Sequence, residues 1–81
     1  MNPHSTPAKH LKLMVKNFSE PAANLDNYRD RDINKAWEDE NLPLFQMIPP
    51  TKGSIINIEC AFRVDFIEYA GGKIVLWVSK V

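Results

Sequence analysis

The side chains best suited to chemistry crowd into one stretch, DNYRDRDINKAWEDEN, from residue 26 to residue 41. Within it Asp30, Asp32 and Asn34 stand at the spacing of the first three ligands of a calcium loop, where alternate residues turn oxygen donors toward a hard cation. The rest of that motif is missing. Lys35 occupies the position where the sharp turn needs glycine, and Asn41 stands where a bidentate glutamate closes the coordination shell. His4 and His10 have no cysteine or carboxylate at metal-ligand spacing, so no metal and no cofactor is expected.

The same acids suit a protein surface better than an ion. Glu38, Asp39 and Glu40 fall at the expected carboxyl end of a helix, where the macrodipole disfavours anions by about 0.3–1 kcal/mol each. Charge tolerated in the wrong place has a use, and Asp30, Asp32, Glu38, Asp39 and Glu40 are predicted to meet a partner protein with a basic surface. The plainer alternative is that the helix stops earlier and the acids only solvate a loop. For nucleic acid, Arg63, Tyr69, Lys73, Trp77 and Lys80 offer cations beside stacking rings, although Glu59, Asp65 and Glu68 interleave with them.

Catalysis is not expected. Paired carboxylates do acid–base work in a cleft that drives their pKa values apart, and these acids sit on an exposed-looking helix. With only Gly53, Gly71 and Gly72 there is no glycine-rich phosphate loop, and no serine sits in a nucleophile elbow. Cys60 lies on the apolar side of a strand, where it reads as a small core hydrophobe.

Charge and length narrow the field further. Ten basic and ten acidic residues give a formal net charge of zero, so no general field draws phosphate backbones. The charge is segregated: residues 1–19 carry Lys9, Lys12 and Lys16 with no acid, residues 20–40 are acidic, and residues 41–81 are nearly balanced. An 81-residue chain that is 44% hydrophobic makes one domain with a thin core. No apolar run approaches the roughly 20 residues of a membrane span, and MNPHSTPAKH has no apolar signal core. A single cysteine fits a reducing, cytoplasmic setting, so Asn17-Phe18-Ser19 is an accidental match to the glycosylation pattern.

Elements to position these residues follow from periodicity. Residues 1–8 hold Pro3 and Pro7 among small polar residues and read as a flexible tail. Leu11, Leu13 and Val15 alternate with Lys12 and Lys16, predicting a strand over residues 10–18. Ser19-Glu20-Pro21 then resembles a helix start, and Leu25, Tyr28, Ile33, Ala36 and Trp37 share one side of a helix that Pro43 ends. A cap near Asp30–Asp32, splitting that segment into two helices, is the alternative. Leu44–Ile48 is predicted as a short strand, and residues 49–53 as a stiff connection.

The C-terminal region carries the clearest pattern. Ile56, Ile58, Cys60, Phe62, Val64 and Phe66 alternate with Asn57, Glu59, Arg63 and Asp65, predicting one long strand. At Phe66-Ile67 the apolar phase shifts to odd positions, which a β-bulge or the end of the strand would explain. Gly71-Gly72 then turns the chain into a last strand whose two faces, Ile74, Leu76, Val78 and Val75, Trp77, Val81, both want cover. A central place in the sheet supplies that cover; so does a second copy of the chain, with Val75 and Trp77 in the interface.

The predicted fold is α+β: a small, mostly antiparallel sheet of three to four strands with one amphipathic helix on one face, spanning residues 9–81 and ending in a β-hairpin. The predicted function is that of a small noncatalytic protein-binding module, an inhibitor or adaptor that occupies a partner's surface through the acidic helix or a strand edge. Short accessory proteins of phages and mobile elements have this size and lack of catalytic residues. The alternatives are a single-stranded nucleic-acid-binding protein and a structural subunit whose last strand pairs with itself or with a partner.

Overall fold

The computed structural model of the protein describes residues 8–81. The chain is α+β, with one α-helix and a five-stranded mixed sheet. The strands are β1 (His10–Asn17), β2 (Arg29–Arg31), β3 (Ile55–Ile58), β4 (Cys60–Ala70) and β5 (Lys73–Lys80); the helix is α1 (Lys35–Met47). Their order across the sheet is β2-β1-β5-β4-β3, antiparallel except for the parallel pair β1 and β5. The sheet therefore has more strands than the three to four predicted. The tail predicted over residues 1–8 lies, Ala8 excepted, outside the described residues; Ala8 donates its N–H to Gln46.

Strand β1 and the double-glycine turn form as predicted, but Lys16, expected on the solvated face of β1, is 3% exposed. Gly71 and Gly72 have φ of 58° and 77°, the left-handed pair that a two-residue hairpin turn with the twist of its strands demands. The expected bulge also forms: Val64 pairs with Val78 but Phe66 with Trp77, leaving Asp65 without a register partner. Phe66 is thereby moved off the core face predicted for it, and Ile67 takes its place against the core.

The predicted strand from Ile56 to Phe66 is two strands. Ile58 and Cys60 are register partners with only Glu59 between them, and Glu59 sits at φ 68°. A one-residue reversal puts Ile58 opposite Cys60 and Ile56 opposite Phe62, so even positions stay on one face and the alternation runs unbroken through the turn.

The helix is also displaced. Pro21–Asn27 forms turns with one short 3₁₀ segment, Leu25–Asn27, capped by Asn24, whose Oδ1 accepts the Asp26 N–H at 3.0 Å. Asn34 caps α1 by accepting the Ala36 N–H at 2.8 Å. Pro43 lies inside the helix rather than ending it, and Leu44–Met47, predicted as strand, forms its last turn with Ile48 as the C-cap.

Eight residues form the core: Leu11, Leu13, Ile58, Phe62, Val64, Ile74, Leu76 and Val78. Trp37, Leu42 and Phe45 of α1 pack on it with Ile33. The sheet curls around this core. Arg31, on the edge strand β2, reaches Glu59 at 3.3 Å at the far hairpin tip and lies 5.1 Å from the Phe62 ring centroid. Across a flat sheet, the three to four strand spacings of about 4.8 Å between β2 and that tip would put it beyond reach. Strand β5 is central, hydrogen-bonded to β1 and β4, so Val75 is buried and Trp77 half-buried within the one chain.

Candidate functional site

The bulge decides what the second face of the sheet holds. Asp65, freed from the register, turns into that face and is 6% exposed. Its Oδ2 accepts the Ser79 hydroxyl at 2.6 Å and the Tyr28 hydroxyl at 2.8 Å, and its Oδ1 lies 3.4 Å from the Arg63 guanidinium. Burial, then the hydrogen bond to Asp65 and its negative charge, push the Tyr28 phenol well above the usual tyrosine range, against a smaller lowering by Arg63. The Tyr28 ring stands edge-on to Trp77 and Phe66, which stack on each other at 5.3 Å. This cluster fastens the segment before β2 over β5, a fixing role; Ser79 has a carboxylate beside it and, among the described residues, no histidine partner to take its proton.

Beside it, a cavity of about 300 Å³ opens between the end of β1 and the following turns. Lys16, Asn17, Glu20, Arg29 and Asp30 line it, both charge signs together. Among the described residues no group of three or more His, Cys, Asp or Glu is placed to hold a metal ion, and Cys60 is a free, half-buried thiol beside Arg31.

The acids predicted to meet a partner are largely engaged by the chain itself. Glu38, Asp39 and Glu40 lie in the amino-terminal half of α1, not at its carboxyl end, so Glu38 in the first turn complements the macrodipole. Glu38 accepts the Leu11 N–H at 2.9 Å, tying α1 to β1. Asp39 bonds Lys35 at 2.6 Å, which holds that ammonium above the ordinary lysine value, and Asp30 lies 3.7 Å from Lys12. Only Asp32 and Glu40 stand exposed with no ion-pair partner among the described residues.

The residues considered for nucleic acid are divided between the faces. Arg63 lies on the Asp65 side with the Phe18 ring 4.9 Å beneath its guanidinium, whereas Tyr69 and Lys80 pair with the core residues Ile74 and Phe62 on the helix side. Lys73 and Lys80 stand at opposite ends of β5.

The feature least explained by the chain's own needs is the β3 edge. Val64 donates its N–H to Ser54, and Ala61 turns its carbonyl to Val81 on the opposite side of β4. By the two-residue period, Ile55 and Asn57 therefore aim their backbone groups outward. The Trp37 indole donates to the Asn57 carbonyl at 2.9 Å and occupies that part of the edge. Among the described residues Ile55 has no such hydrogen-bonded cover. On the same flank of α1 as Trp37, at helical spacing, come Leu44 and Ile48, 55% and 79% exposed, with Met47 beside them at 78% and Ile55 itself at 55%. Two signals in the sequence pointed here: the doublet Ile55-Ile56, which starts the alternation one residue early, and the apolar run Leu44–Ile48.

The two edges of the sheet contrast. Edge strand β2 is Arg29-Asp30-Arg31, short and charged, the usual protection against unwanted pairing. Strand β3 has no charge at all, and from Asn41 to Ile58 Lys52 is the single charged residue. No protein-family model matches the chain, and neither does any curated protein or solved structure. Among the described residues no helix is long and apolar enough to cross a membrane.

Proposed function

We propose that the chain is a small noncatalytic protein-binding module, an inhibitor or adaptor whose working surface is the Ile55 edge of β3 with the flank of α1 bearing Leu44, Met47 and Ile48. The observation that carries this reading is the outward-facing Ile55 backbone on the uncharged β3 edge, next to the contact of Trp37 with Asn57, in a chain whose Leu44, Met47, Ile48 and Ile55 side chains are exposed. A strand added along β3 forms main-chain hydrogen bonds with Ile55 and sends alternate side chains to the two faces. On one face they meet Ile55, on the other Leu44 and Ile48.

The acidic residues take a secondary place, since Glu38, Asp39 and Asp30 already have partners. The test is capture of proteins by the tagged, full-length chain from nuclease-treated lysate of its native host, comparing wild type with Ile55→Lys, Ile48→Glu and the double charge reversal Asp32→Lys/Glu40→Lys. Loss of capture in the first two variants and retention in the third supports the edge. Capture abolished only by charge reversal returns the function to the acids, and recovery of nucleic acid alone, without nuclease, replaces the reading with the nucleic-acid one.

A further inference from the structure

We infer that the cavity at the end of β1 is a binding site for a small organic carboxylate, held by the ammonium group of Lys16. Lys16 lines that cavity of about 300 Å³ and is 3% exposed. At this exposure the head group as well as the stem is out of water, so the side chain does not snorkel to the surface as a lysine ordinarily does. Its Nζ donates to the carbonyl of Asn17, another residue of the cavity wall, at 3.2 Å, and to no other group among the described residues. An ammonium has three N–H donors. A carbonyl occupies one of them and cancels none of the charge, and a buried charge is costly enough that it is normally paired.

The chain's own acids do not supply the anion. Residues 1–7 contain no acid, and among the described residues no carboxylate forms an ion pair with Lys16. Ser79, the register partner of Lys16, gives its hydroxyl to Asp65, which Tyr28 and Arg63 also occupy. Glu20 accepts the Asn17 N–H at 3.4 Å instead. The charge of the wall then selects the ligand. It holds three bases, Lys16, Arg29 and Arg31, and two acids, Glu20 and Asp30. Arg31 is paired with Glu59 and Asp30 with Lys12, which leaves Lys16, Arg29 and Glu20, an excess of one positive charge. A carboxylate balances that excess, whereas a phosphate monoester at about −1.5 to −2 would set uncompensated charge beside Glu20. Size agrees, since the volume lies at the small end of the range of about 300–1,000 Å³ for ligand pockets.

The experiment is an NMR titration of the isotope-labelled full-length chain with acetate, butyrate, benzoate and inorganic phosphate, each against chloride at equal ionic strength. Lys16→Met, Arg29→Gln and, as a control on an exposed residue away from the cavity, Lys52→Met are titrated alongside. Methionine keeps the buried stem without the charge, and circular dichroism with urea unfolding shows whether each variant is folded. The expected result is a saturable shift with at least one carboxylate, centred on the amides of Asn17, Glu20 and Arg29. Affinity should weaken at least about tenfold in Lys16→Met and by a smaller factor in Arg29→Gln, and stay unchanged in Lys52→Met. The inference is overturned by the absence of a saturable shift with every carboxylate, by shifts centred elsewhere, by an affinity that Lys16→Met leaves unaltered, or by phosphate binding more tightly than every carboxylate. Should Lys16→Met not fold, Arg29→Gln decides: weaker binding at the cavity upholds the site, and equal binding overturns it.

Discussion

Removing the Tyr28 hydroxyl should cost about 1.5–3 kcal/mol, the range for a hydrogen bond to a charged group. The bond in question, 2.8 Å to Asp65 Oδ2, lies between a tyrosine 4% exposed and a carboxylate 6% exposed, so water does not replace it. Ser79→Ala removes the second hydroxyl from the same oxygen and should cost a similar amount. An 81-residue domain has roughly 4–12 kcal/mol to lose at about 0.05–0.15 kcal/mol per residue, so either change is a large part of its stability. Each kcal/mol lowers the melting temperature of a domain this size by about 4–8 °C. The decisive measurement is a cycle by urea unfolding: Tyr28→Phe in the wild type and again in Asp65→Asn. In the wild type the full loss is expected; with the carboxylate gone, the phenol has lost its charged acceptor and the same substitution should cost less by about 1 kcal/mol or more. Equal costs in the two backgrounds, or a wild-type loss under about 0.5 kcal/mol, would refute the view that Asp65 fastens Tyr28 to the sheet.

Other consequences are open to similar measurement. The raised Tyr28 pKa makes a contribution to stability that is fully present below the unfolded tyrosine value near 10, and lost as pH rises from there toward the folded value; the wild type should lose up to about 1.4 kcal/mol per pH unit in that window relative to Tyr28→Phe, read from unfolding curves at alkaline pH. Glu38→Ala leaves the Leu11 N–H without its carboxylate and should destabilise by about 1.5–3 kcal/mol, with the exchange protection of that amide lost first. Pro43→Ala should stabilise by up to about 3 kcal/mol, because proline inside α1 cannot donate to the carbonyl of Asp39; an unchanged urea midpoint would count against a regular helix through that residue.

What the sequence made legible was whatever period and turn chemistry determine locally. Strand β1, the Gly71-Gly72 turn and the phase shift at Phe66-Ile67 were all local signals, although the last allowed either a bulge or the end of the strand. The failures have equally definite causes. Parity cannot distinguish a long strand from two strands joined by the single residue Glu59, since both keep the even positions on one face. Leu25, Tyr28, Ile33, Ala36 and Trp37 fit a helix face, yet Tyr28 serves the opposite face of the sheet, where Asp65 and Trp77 hold it. A contact between residues 37 positions apart overrides the local preference, and no period records it. Pro43 misled for a related reason: its cost is a few kcal/mol, and the packing of Trp37, Leu42 and Phe45 on the core offsets it.

The exposed acids Asp32 and Glu40 and the β3 edge would leave different marks on binding, and magnitude separates them. Asp32 and Glu40 are exposed, and an exposed ion pair with a partner is worth about 0–1 kcal/mol and fades with salt. Burying the exposed parts of Leu44, Met47, Ile48 and Ile55 is worth about 1–2 kcal/mol apiece, from about 1.5–3 kcal/mol for a fully exposed side chain, and salt does not screen it. If the edge is the docking surface, the dissociation constant should change little between low and high salt while the association rate follows the acids, because charge steers encounter more than it holds the complex. An affinity that collapses with salt would place the binding energy in Asp32 and Glu40 and leave the apolar edge without a part in it.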